Sequence, residues 1–218
     1  MAAKTHLFNC LSDNFGVLIH DPQSGATASI DAPDAAAVEK ALADTGWTLT
    51  DILVTHHHND HTAGVAPLKA KYKCRVVGPK SDKFKAVDET IGEGGNVKLG
   101  NLTARVIEGT MPQMWHSLLK LRALPDDMAF HCGHEYTEAN IKFALTIEPD
   151  NADLKARAKE VAALHAAGKP TLPSTIGAEK KTNCFLRADV PSVAAAVGLA
   201  GKNGEEVFAE IRLRKNRF

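Results

Sequence analysis

The sequence is poor in the features that mark specialised classes of protein. Cysteine is scarce, and Cys10, Cys74, Cys132 and Cys184 stand apart with no CxxC spacing. That excludes a disulfide framework and a thiolate zinc site, and reads all four as reduced thiols packed as small apolar groups. Net charge is lacking too. Lysine plus arginine and aspartate plus glutamate both number 26, so no global field draws the chain to nucleic acid or to an anionic membrane. No hydrophobic run approaches the roughly 20 residues of a membrane span, and the opening MAAKTHLFNC carries no apolar segment of the signal-peptide kind. The expectation is a cytoplasmic monomer with no nucleic-acid or membrane partner, so any charged ligand must be caught locally. Tandem repeats and low-complexity tracts are absent as well. What is plentiful is apolar surface: 44% of the 218 residues are hydrophobic, enough for the core of one large domain or two modest ones.

The first part of the chain reads as short strands between turns. THLFNCL, FGVLIH, ATASID, DILVTH, CRVVG, VKLG and LTARVI are rich in β-branched and apolar residues, with Gly, Asn or Asp between several of them. Two helices interrupt them. DAAAVEKALADTG puts Ala35, Val38, Ala41 and Leu42 on one face and ends at Gly46, a C-cap. GTMPQMWHSLLKLRALP opens with Thr110 and Gln113 in capping-box spacing and offers Met114, Leu118 and Leu121 at helical intervals. Asp126 and Asp127 read as a turn after Pro125. From Thr137 onward the texture is helical. TEANIKFALTIEP and NADLKARAKEVAALHAAG are the clearest helices, the second with Leu154, Ala158, Val161 and His165 in one stripe. These textures divide the chain near residues 136 to 140.

The densest chemistry lies in THHHNDH, residues 55 to 61, with four histidines and one aspartate. Imidazole nitrogen and carboxylate oxygen together suit zinc and similar divalent metals. The motif follows the apolar strand DILV and precedes TAGVAPLKAKY, which reads as a helix despite its glycine and proline; Gly64 would let that helix lie close to the sheet. Alternation sends His56 and His58 to one side and His57 to the other. The turn lets Asp60 and His61 project toward a second point. Such a layout suits two metals that polarise a carbonyl and ionise a shared water.

This motif resembles that of the metallo-β-lactamase superfamily, and other stretches narrow the likeness to glyoxalase II, the hydroxyacylglutathione hydrolases. CLSDNFGVLI resembles their first strand pair, IDAPD the next strand and turn, and CGHEYT their later metal motif; FALTIEPDN, PTLPSTIGAEKKTNCFLR and the terminal RLRKNRF complete it. The resemblance implies an αβ/βα sandwich in four layers over residues 1–136 and a helical substrate-binding domain over 137–218. It implies hydrolysis of S-D-lactoylglutathione to D-lactate and glutathione, and of related glutathione thioesters. Carried over by position, His56 and His58 bind one metal, and Asp60, His61 and His134 the other, with His58 and Asp60 at the reacting centre. The resemblance implies zinc in one or two copies, and iron and manganese suit the same donors. Tyr136, Arg212 and Lys215 correspond to groups that hold glutathione.

The chain also departs from that pattern. Between its middle strands and the EGT helix the family carries a PGHT-like turn with the third histidine of the first metal, and a GDT-like turn with an aspartate bridging both ions. This chain passes from NLTARVIE directly to GTMPQMW, with no histidine or aspartate between Val97 and Thr110. The first metal position is left with two ligands, the second with three. His57, His116 and His131 are read as ordinary packed or exposed histidines. Losing strands from a sheet should expose apolar edges and leave backbone groups unpaired unless neighbouring segments close the gap. An iron oxygenase acting on glutathione persulfide, and a non-catalytic remnant or excised scaffold of the same fold, are the rival readings.

Overall fold

The computed structural model describes residues 2–81, 83–109 and 113–218. They form two compact units that divide between Glu108 and Gly109, so the change of texture near residue 136 falls within the second unit.

The first unit runs β1 (Lys4–Cys10), β2 (Asn14–His20), β3 (Thr27–Ile30), α1 (Ala35–Thr45), β4 (Asp51–Leu53), α2 (Asn59–Thr62), α3 (Val65–Tyr72), β5 (Arg75–Gly78), β6 (Glu89–Thr90), β7 (Asn96–Leu99) and β8 (Leu102–Arg105). Strands β1 to β6 make one sheet in sequence order. The β1-β2-β3 pairings are antiparallel and those from β3 to β6 parallel. Parallel neighbours need a crossover, and α1 supplies it between β3 and β4, α2 and α3 between β4 and β5. Helix α1 forms as its pattern predicts. The Asp34 side chain accepts from Ala37 N–H, Val38, Ala41 and Leu42 are buried, and Gly46 ends the helix at φ 72°, a conformation glycine takes without penalty. These residues join Leu18, Ile52, Val65, Leu68 and Val76 in the core of the unit. Each large side chain so buried contributes about 1.5–3 kcal/mol.

Two expectations change in detail. The helix expected from Thr62 onward is two pieces, because Gly64 N–H turns aside to donate to Ala32 O at 2.8 Å. A Cβ on Gly64 would lie 2.7 Å from Ala35 N and 3.0 Å from Ala32 O, so its close approach is to the loop after β3. Beyond the main sheet, β7 and β8 form a separate hairpin with Val97 and Leu99 buried. Among the described residues β8 pairs with β7 alone. Its open edge carries exposed Thr103, Ala104 and Arg105, the last a charge that discourages pairing with another chain.

The second unit runs α4 (Met114–Arg122), β9 (Ala129–Phe130), α5 (Thr137–Ile147), α6 (Ala152–Ala166), β10 (Ser174–Thr175), α7 (Ile176–Thr182), a 3₁₀ turn (Cys184–Leu186), α8 (Pro191–Ala196) and α9 (Gly204–Lys215). Phe143, Leu154, Val161, Val207, Phe208 and Ile211 are among the residues of its core. The Thr110–Gln113 capping box rests on a residue outside those described. Helix α4 buries Trp115 and Ser117, with Met114 and Leu118 partly covered and Leu121 outside the core cluster. Trp115 packs 6.0 Å from Phe208, ring centre to ring centre, and this large aromatic sets the buried face. Among the described residues no helix is long and apolar enough to cross a membrane.

Candidate metal centre

The centre begins where β3 and β4 end side by side. Ile30 pairs with Leu53, and one residue further Asp31 N–H donates to Leu53 O at 2.9 Å. Asp31 is 5% exposed and its carboxylate is fully used. Oδ1 accepts Thr55 N–H at 2.7 Å, and Oδ2 accepts the Thr55 hydroxyl at 2.8 Å and His61 Nδ1–H at 2.7 Å. His61, buried in α2, is held from its backbone as well, since its carbonyl accepts Ala32 N–H at 2.9 Å. With Nδ1 committed to Asp31, Nε2 is the nitrogen left to face the cluster.

The remaining motif residues gather around it. His56 Nε2 lies 3.0 Å from His58 Nδ1. The His56 and His61 rings are 4.1 Å apart, and His61 Nε2 is 3.4 Å from Asp60 Oδ2. Buried Asn14, from β2, donates through Nδ2 to Asp60 O at 3.1 Å and to Asp60 Oδ2 at 3.3 Å, which fixes that carboxylate. His57 packs edge-on to His58 at 4.9 Å between ring centres. Asp31, His56 and His61 also bring one ligand-type atom each within 4.8 Å of one another. The electrostatics separate the imidazoles. The Asp31 hydrogen bond raises the pKa of His61, whereas burial, followed by the nearby His61, lowers that of His56.

These spacings fit a divalent cation. Donors about 2.0–2.1 Å from a tetrahedral ion are about 3.3–3.4 Å from each other, close to the 3.0 Å and 3.4 Å found for the His56/His58 and Asp60/His61 pairs. Asp31, Thr55 and Asn14 support these groups, and the sequence reading did not single them out. Asp31 lies 30 residues from His61 and Asn14 lies 46 from Asp60, so only strand pairing brings them together.

In the second unit, His134 stacks on Tyr136 with ring centres 4.8 Å apart. Tyr136 is 49% exposed at the start of α5 and lines a cavity of about 210 Å³ with Cys132, Arg157, Leu172 and Phe185. Arg212 and Lys215, on α9, approach the same region. The Arg212 guanidinium lies 5.8 Å from the Phe185 ring centre, and Lys215 Nζ donates to Ala139 O at 3.3 Å above Phe143 and Phe218. Neither cation is ion-paired among the described residues, and the buried Nε of Arg212 has no hydrogen-bond partner among them. His116 is exposed on α4, and His131 follows β9.

The chain as a whole is similar to known proteins. Residues 16–100 match the family model of the metallo-β-lactamase superfamily, and residues 135–218 that of the hydroxyacylglutathione hydrolase C-terminus. A hydroxyacylglutathione hydrolase from Rhodopseudomonas palustris strain BisB5 is 54% identical over 99% of each chain. One from Nitrobacter hamburgensis is 53% identical over 100% of each. The latter alignment spans 254 positions against the 218 residues of this chain, so that relative carries a few dozen residues with no counterpart here. A solved metallo-β-lactamase from Staphylococcus aureus, 16% identical, superposes with a TM-score of 0.62 over 99% of this chain and 73% of its own. The fold is therefore that of the metallo-β-lactamases with a helical C-terminal region, and the chain belongs to the hydroxyacylglutathione hydrolase family.

Proposed function

We propose that this chain hydrolyses glutathione thioesters, S-D-lactoylglutathione to D-lactate and glutathione among them, as a cytoplasmic monomer. The observation that carries the reading is the pair of donor sets, His56 with His58 and Asp60 with His61, each at metal-ligand spacing in a family of that activity. His134 is carried over from the family as a further ligand. Zinc suits this mixture of nitrogen and oxygen, and iron or manganese suits it too. A divalent cation bound there supplies Lewis acidity toward the thioester carbonyl and toward water.

The chain's own residues divide the rest of the work. Asp31 and Asn14 hold His61 and Asp60 in place, so the donors are oriented before a ligand arrives. Arg212 and Lys215 offer cations to the carboxylates of glutathione, and Tyr136 offers an exposed side chain at the cavity. The leaving group is a thiolate, stable enough to depart without a strong acid, which agrees with the absence of a dedicated acid from the proposed set. The test is hydrolysis of S-D-lactoylglutathione by zinc-loaded protein, with and without chelator. Turnover that chelator abolishes and zinc restores is expected. A folded, zinc-loaded chain that leaves the thioester intact overturns the proposal.

A further inference from the structure

One hydroxyl group lies between a buried carboxylate and one histidine of the cluster. Thr55 follows β4, and its backbone N–H and Oγ1 both engage Asp31, at 2.7 Å and 2.8 Å, while the same Oγ1 lies 2.9 Å from His56 Nδ1. Asp31 is set up for this contact. It is nearly fully buried and its backbone is held at φ 58°, in the left-handed region that few residues with side chains adopt. That conformation is kept where the surroundings over-determine it, and here it accompanies a carboxylate that meets Thr55 on both oxygens.

The proton count follows from the partners. A hydroxyl carries one proton and an ionised carboxylate only accepts. The Thr55 proton therefore goes to Asp31, and its oxygen is left to accept from His56 Nδ1–H. His61 makes the corresponding bond directly, Nδ1–H to Asp31 Oδ2. We propose that Thr55 is a positioning residue which, with Asp31, fixes both His56 and His61 as the Nδ1–H tautomer, so that each presents Nε2 to the metal. One carboxylate thus orients two ligands, one of them through a hydroxyl relay. The consequence for affinity rests on the metal-binding reading above; the tautomers are a property of the metal-free chain.

Two measurements separate these layers. Imidazole ¹⁵N–¹H correlation spectra of the metal-free protein at mildly alkaline pH should show Nδ1–H at both His56 and His61. Thr55→Val, of similar shape without the hydroxyl, should move His56 toward the Nε2–H form and leave His61 unchanged; Thr55→Ser should match the wild type. Zinc affinity, by competition with a coloured chelator, should fall roughly 10–100-fold in Thr55→Val, as for other lost outer partners of metal ligands, and stay near wild type in Thr55→Ser. An Nε2–H form of His56 in the wild type, or a Thr55→Val protein with unchanged tautomer or unchanged affinity, overturns the proposal. A wild-type chain that takes no zinc overturns the metal reading instead, and the spectra still decide the tautomer claim.

Discussion

Single side chains in this molecule do their work through partners far away in sequence. Asp21, 1% exposed, accepts from Ser24 Oγ at 2.6 Å, Gln23 N–H at 3.0 Å and Asn101 N–H at 2.8 Å, and so ties the β2–β3 turn to the β7–β8 turn. Those donors, Ser24 foremost, hold its carboxyl well below the usual carboxylate range. Because the folded value is the lower one, the stabilisation is complete above the unfolded value of about 3.9 and is lost as pH falls through the folded value. Urea unfolding at a series of pH values should show Asp21→Asn less stable than wild type by a constant gap near neutrality, narrowing in acid. A gap indifferent to acid would refute this. In the second unit, Arg187 grips buried Glu148 with two bonds of 2.8 Å. Glu148→Ala leaves that cation without its carboxylate partner and should cost about 3 kcal/mol in chemical denaturation, with Glu148→Gln costing less. The cluster of candidate donors was legible because histidine and aspartate are ligands by type. Asp31, Asn14 and Thr55 were not, because their roles exist only once β2, β3 and β4 are paired.

At the scale of elements, legibility followed length and pattern. Seven strands with apolar or β-branched runs could be read, whereas β6, β9 and β10 have two residues each and carry no period. Helices α1, α5 and α6 were readable from spacing. Helix α9 was not, although Asn203 and Glu206 form a capping box, because Val207, Phe208 and Ile211 are buried in an otherwise charged segment. Helix α2 matters most for the proposed metal centre, since it carries Asp60 and His61 and is pinned to the loop after β3 through Ala32. Gly64→Ala would push a methyl group into backbone atoms of that loop, at a cost of about 1–3 kcal/mol, and would shift α2 with it. Thermal melting and zinc affinity should therefore fall together. A variant with lowered stability but wild-type affinity would show that α2 is positioned by something else.

The chain aligns over the full length of a relative of 53% identity while lacking a few dozen residues that the relative carries. The six-stranded sheet that supports the histidine motif is retained, and so is the helical region with Tyr136, Arg212 and Lys215. Two groups that the family resemblance assigns to its metals are missing from the stretch between Val97 and Thr110. On the proposed reading, the binding of metal then rests on the motif donors and His134. Titration of metal-free protein with zinc, for the wild type and for His56→Ala and His61→Ala, tests this directly. At least one equivalent should bind to the wild type, with each substitution weakening binding by roughly tenfold or more while the metal-free proteins stay folded. A well-folded wild type that takes up no zinc, or substituted chains that bind it as tightly, would contradict the account.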